Sequence, residues 1–203
     1  MLKTFRESLC AGILITIGGT VFLSCENKTA GAVLFSVALL CICYKGYYLF
    51  TGKIGYIVEQ HKKQDFLNLA VGLFGNLIAT FLLGMLLRTV LPNIGERAAE
   101  MCSAKLAQFP LYSFIRGFFC GILMYLAVSI YKEKNSVLGV LFCVPVFILC
   151  GFEHSIADMF YFGTSGIFDT KIIFFMALIV AGNTLGAMVL PLLQGVHTNE
   201  KQG

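Results

Sequence analysis

An acid and a histidine stand side by side inside an apolar run: Glu153-His154, within Cys150-Gly-Phe-Glu-His-Ser-Ile-Ala-Asp-Met-Phe160. Ionisable groups at membrane depth are costly and mark function by default. If the run ended at Gly151, the pair would lie in interfacial water. Instead Ile156 to Phe168 resumes the apolar pattern. A run that breaks and resumes opens its backbone in the hydrocarbon layer, which is tolerated only where the opened segment lines a cavity or is buried in protein. The sequence therefore predicts a broken membrane helix with a titratable group at the break.

The rest of the chain supports a membrane setting. It has 203 residues, 58% of them hydrophobic and only 13% charged, with mean hydropathy +0.83. That composition belongs to polytopic membrane proteins. The length suits a single membrane domain over 1–203, with roughly six spans of about 20 residues joined by short loops. Leu9 to Cys25 reads as a retained first span, since no small-residue cleavage site follows a short apolar core. The net charge of +4 comes mainly from loop lysines and arginines, with no basic run among exposed aromatics that would bind nucleic acid. The eight cysteines lie mostly within apolar spans without a CxxC pair, so they are expected to act as small hydrophobes and to hold no metal.

Taken in order, the spans are expected at Glu7 to Cys25, from Thr29 onward, Phe66 to Leu87, Phe109 to Tyr131, from Val137 onward, and Ile172 to Leu193. The second is clean to Tyr44 and then meets Lys45-Gly-Tyr-Tyr-Leu-Phe-Thr-Gly-Lys53, a second candidate break. Arg88 to Gln108 is mixed in charge and is expected to be a surface helix with a re-entrant part. The tail, 196–203, is polar and expected to be disordered. With the first residue inside, the inner segments hold Lys3, Arg6, Lys62, Lys63, Lys132, Lys134 and Lys201, against Lys28, Arg88, Arg97, Lys105 and Lys171 outside. This excess predicts that both ends are cytoplasmic.

Two stretches echo each other. Gly75-Asn76 and Gly182-Asn183 each open an apolar helix in the third span of its half, and each follows a broken span. Three spans per half force the second half, about 109–195, to run inverted to the first, about 5–90. Inverted repeats with paired discontinuous helices place a permeation or binding site at the repeat interface near the midplane. Asn76 and Asn183 are expected to satisfy backbone groups freed by the breaks, and Glu153 to accept backbone N–H groups there.

The chain resembles the formate/nitrite transporter family, through Gly-Phe-Glu-His-Ser-Ile-Ala-Asp-Met-Phe (151–160), Leu-Phe-Thr (49–51) and the two Gly-Asn helices. The resemblance covers essentially the whole chain. It implies an all-α, aquaporin-like integral membrane fold with six transmembrane helices, the second and fifth broken. It also implies a homopentamer in a cell inner membrane, each protomer with a pore for small monovalent anions of the formate, nitrite or hydrosulfide type. Residue by residue, it implies that His154 is the central pore histidine and Thr51 the loop threonine facing it. Leu49 and Phe50 would narrow the pore, Phe147 would form a constriction, Phe35 and Leu39 would fall where the second span lines the pore, and Lys105 would stand near the histidine on the outer side. Asp158 and Gly121 depart from the pattern, each standing where the family commonly has Asn, and Lys45, Tyr47 and Tyr48 are unusual beside the loop.

From these residues the expected mechanism is a pH-sensitive pore without a cofactor. Apolar rings exclude larger and divalent ions by desolvation. Lys105 draws anions in and pushes His154 toward the neutral form, and the histidine with Thr51 offers donors to the anion. Lys45 is expected either to attract anions or to snorkel to the inner interface, and Arg116 to serve packing or the interface. Proton-coupled symport of the same weak-acid anions is the alternative. An enzyme lacks support, with no HExxH, no GxSxG and no acid or nucleophile spaced to work with His154. Lys105 argues against a channel for neutral solutes.

Overall fold

The computed structural model describes residues 1–195; the expected tail, 196–203, lies outside the described residues. The described chain is helical: α1 (Leu2–Ser24), α2 (Lys28–Lys45), α3 (Lys63–Val90), α4 (Pro92–Leu106), α5 (Pro110–Lys134), α6 (Leu138–Leu149), α7 (Ser155–Ser165) and α8 (Lys171–Gln194). Two short 3-10 helices, Phe50–Gly52 and Ile54–Val58, follow α2. Five of the helices, α1, α2, α3, α5 and α8, are long and apolar enough to cross a bilayer, and α6 with α7 makes up the interrupted fifth span. Large apolar side chains such as Ile17, Val37, Phe74, Leu82 and Phe142 point outward, a surface that suits lipid or a neighbouring protein and not water.

Both breaks are built the same way. α2 ends on Gly46 and α6 is followed by Gly151, both at φ 68°, the left-handed conformation that glycine adopts without strain. Tyr47 N–H then returns to Ile42 C=O at 3.1 Å, and Phe152 N–H to Phe147 C=O at 2.9 Å. The chain runs extended past each glycine until it meets an asparagine from the third span of its own half. Asn76 accepts from Phe50 N–H at 2.8 Å and donates to Tyr48 C=O at 2.9 Å. Asn183 accepts from Ser155 N–H at 2.9 Å and donates to Glu153 C=O at 2.8 Å. Each amide also donates across to the first span of its half, Asn76 to Ser8 C=O and Asn183 to Gly117 C=O, both at 2.8 Å. Four backbone groups that the breaks would otherwise leave orphaned in an apolar interior, Phe50 N–H, Tyr48 C=O, Ser155 N–H and Glu153 C=O, are thereby paired, each worth about 1–3 kcal/mol if left open.

Small residues let those first and third spans approach. A Cβ on Gly12 would meet Ala79 Cβ at 2.6 Å, and one on Gly121 would meet Asn183 C=O at 2.3 Å. The second value accounts for the departure at 121: on this backbone an asparagine there has no room. The two halves are thus inverted repeats of three spans each, with the breaks of α2 and α6 turned toward one another.

The segment after α3 differs from expectation. It is one uninterrupted helix, α4, started by Pro92 at its first turn, with no re-entrant part. Ile94, Gly95, Ala98 and Cys102 form its buried stripe at helical spacing, and Asn93, Glu96, Arg97, Glu100 and Ser103 are exposed. Because that stripe packs along α7 with no break in its hydrogen bonding, nothing draws the segment into the bilayer as a loop. The helices also overrun several expected span ends, α1 starting at Leu2 and α5 continuing to Lys134, since charged turns at an interface extend a helix without entering the hydrocarbon.

Candidate functional site

Where the two breaks meet, His154 Nε2 lies 2.8 Å from Thr51 Oγ1, and both residues are buried. Thr51 is held by the 3-10 turn after the first break. His154 caps α7: its Nδ1 accepts from Ala157 N–H at 3.1 Å. A nitrogen that accepts carries no proton, so the single proton of the neutral ring is on Nε2, facing Thr51. The cap therefore fixes both the orientation of the imidazole and its tautomer. Phe147 stacks on the ring, with centroids 5.5 Å apart and planes 19° from parallel, and Phe35 meets Phe147 edge-on at 6.3 Å.

Two cavities approach this contact from opposite ends of α5. One, of about 240 Å³, is lined by Phe147, Glu153, His154 and Asp158, together with Lys105 and Arg116. The other, of about 80 Å³, is lined by Leu39, Leu49, Gly52, Lys53, Tyr131 and Lys132. Arg116 and Lys132 mark the two mouths on α5, roughly 24 Å apart at the rise of an α-helix. Phe147 and His154 belong to the first lining and Leu39 and Leu49 to the second, while Thr51 reaches His154 and Phe35 packs on Phe147. Phe50 is buried with its amide on Asn76 and lines neither cavity.

The charged residues beside His154 pair among themselves. Lys105 Nζ bonds to Glu153 Oε2 and lies 3.0 Å from Asp158 Oδ1. Gln108 Nε2 reaches the other Glu153 oxygen at 3.5 Å. The Glu153 carboxylate thus takes a lysine and an amide, in place of the backbone N–H groups expected from the sequence. The break needs no carboxylate, because Asn183 already supplies its amide partner and Glu153 N–H goes to Arg116 C=O at 3.3 Å. Lys105, expected to draw anions in, is shared by two carboxylates.

Some lining residues were not singled out in the sequence. Lys53 and Lys132 line the smaller cavity, where Lys45 does not; Lys45 ends α2 in solvent, where its charge complements the helix C-terminus. Arg116 lines the larger cavity, where a packing or interfacial place was expected. For Asp158 a usable signal was present: two acids and a single nearby lysine at membrane depth must find one another. Tyr48, unusual for its position, packs its ring against Gly72, where a Cβ would come within 2.3 Å. Among the described residues no group of three or more His, Cys, Asp or Glu is arranged to hold a metal.

Comparison with known proteins decides the family. The formate/nitrite transporter family matches residues 1–195. The chain belongs to that family. It is 30% identical over 185 residues to the uncharacterized transporter YwcJ of Bacillus subtilis (strain 168), covering 81% of this chain and 72% of that one. It is 25% identical over 187 residues to the formate channel FocA of Escherichia coli (strain K12), covering 78% of this chain and 65% of the other, so the match spans about two thirds of that channel's length. Among solved structures, a pentameric formate channel with formate bound superposes with TM-score 0.80 at 24% identity over 95% of both chains. An FNT family ion channel gives 0.79 at 21% identity, over 95% of this chain and 87% of the other. The fold is the aquaporin-like one of those channels.

Proposed function

We propose that this family member is a pore for small monovalent anions of the formate, nitrite and hydrosulfide type, with passage between Thr51 and His154. One observation carries the reading: of two cavities toward opposite ends of α5, one is lined by His154 and the other by Leu49 and Gly52, which flank the Thr51 hydroxyl bonded to the His154 imidazole. An anion leaving either cavity meets Phe35 and Phe147, or Leu39 and Leu49, and must shed water there. Divalent ions face a far larger desolvation cost at such a neck. The neutral imidazole and the hydroxyl replace part of the lost hydration with donors and no fixed charge, so the anion is not trapped. A weak-acid anion that takes a proton from water on one side and returns it to water on the other would cross the apolar rings as the neutral acid, with no net proton drawn from His154 or Thr51.

The likeness to FocA, a formate channel, supports formate among the substrates, and the likeness to a pentameric channel supports a homopentamer with one pore in each protomer. The excess of Lys and Arg on the inner segments reads both ends as cytoplasmic, which puts the larger cavity, on the Lys105 side, at the outer face of the cell membrane.

The test is flux of formate, nitrite, hydrosulfide and sulfate into liposomes holding the purified protein, measured across pH. The monovalent anions pass and sulfate does not. Equal flux of sulfate, or flux of uncharged solutes alone, contradicts the reading. Current that reverses at the anion's own equilibrium potential marks a channel, whereas reversal displaced by the proton gradient marks proton-coupled symport.

A further inference from the structure

We propose that Arg116, and not Lys105, is the cation that meets anions in the larger cavity; the inference rests on the pore reading above. The first observation is a charge count. Lys105 brings one positive charge to two buried carboxylates, Glu153 and Asp158, leaving a formal charge of −1 on the triad with all three ionised. A lysine so paired presents no net positive field to an incoming anion; the triad alone repels it. Asp158 makes the difference, because with one carboxylate the lysine pair would be neutral.

The second observation is where Arg116 sits. It lines the same cavity as His154 and the triad, its side chain is exposed, and no carboxylate of the described residues lies within ion-pairing distance of it. Its own carbonyl receives Glu153 N–H at 3.3 Å, which holds this turn of α5 against the break. One turn along the same face, Phe119 stacks on Phe152, with centroids 5.5 Å apart and planes 21° from parallel, so that face of α5 is turned to the break. By contrast Arg97, nearby on α4, is already committed to Leu23 C=O at 2.7 Å. Arg116 is therefore the uncommitted cation of this mouth, and a guanidinium suits a planar carboxylate or nitrite because it offers paired donors in one plane.

The test is formate uptake by liposomes carrying the parent protein, Arg116→Gln or Arg116→Lys, at low and high ionic strength. Arg116→Gln lowers uptake about three- to tenfold at low ionic strength, the deficit shrinks in high salt, and Arg116→Lys recovers most of the rate. Equal uptake by the parent and Arg116→Gln at low ionic strength overturns the proposal, as does a deficit that Arg116→Lys does not relieve. Bromide soaked into crystals of the same proteins gives a readout that does not need transport. An anomalous peak at the guanidinium, lost in Arg116→Gln, supports the assignment; a peak on Lys105 Nζ, or none in the cavity, overturns it. Should the parent carry none of the anions, the pore reading fails while the bromide result still decides the place of the anion.

Discussion

Leu49 and His154 hold the same place in the two inverted halves. Each is the last residue before the amide that an asparagine captures, Phe50 N–H by Asn76 and Ser155 N–H by Asn183. One break thus presents an isobutyl group at the neck and the other an imidazole. The chemistry of the passage is asymmetric although its scaffold is nearly symmetric, because one half uses this position for exclusion and the other for hydrogen bonding.

The scaffold predicts a stability effect. Asn183→Ala leaves Ser155 N–H, Glu153 C=O and Gly117 C=O without their side-chain partner, and Asn76→Ala does the same to Phe50, Tyr48 and Ser8. Each substitution is expected to cost several kcal/mol, at about 1–3 kcal/mol per open group. Thermal unfolding in detergent, followed by tryptic digestion or differential scanning, should show a clear drop in midpoint for both variants. An unchanged midpoint would mean that the breaks are held by other contacts.

The contact between α5 and α8 gives a sharper steric prediction. Gly121 faces Asn183 C=O and Ala187 N–H, with 2.3 and 2.9 Å to a built Cβ. An asparagine at this position, Gly121→Asn, forces these helices apart and should abolish monodisperse protein on size exclusion. Folded, stable Gly121→Asn would show that the two helices separate at little cost.

Charge in the larger cavity predicts a gain. Asp158→Asn preserves shape, removes one negative charge and leaves Lys105 paired with Glu153 alone. Formate flux at low ionic strength should rise, by about threefold or more for one charge near a focused mouth. A fall in flux would show that the second carboxylate helps the anion along and does not repel it.

Much of this architecture was legible in the sequence, and the reasons are physical. Glu153 and His154 within an apolar run announced a break, because only a lined cavity tolerates them, and the repeated Gly-Asn pairs announced the inverted halves. The straight course of α4 was not legible: its charges read equally well as a surface helix or a re-entrant loop, and only the packing of Ile94, Ala98 and Cys102 on α7 separates the two. The partner of Glu153 was missed for a related reason. Two acids at membrane depth, Glu153 and Asp158, call for a cation, but spacing along the chain does not show that Lys105, 48 residues before Glu153, is shared by both. Arg116 was passed over because an arginine in the first turns of a span is ordinarily interfacial, and sequence does not tell which way that turn faces.

The central claim is that anions pass between Thr51 and His154 and use the Nε2–H. It is met most directly by formate flux through His154→Phe in liposomes, with the assembled protein verified by its elution. Phenylalanine keeps a ring against Phe147 but removes the donor, a loss of about 1–3 kcal/mol at the neck, or roughly tenfold in rate for each 1.4 kcal/mol. Flux reduced tenfold or more, in a protein that still elutes as the parent does, is the predicted result; parental flux through His154→Phe would contradict the account.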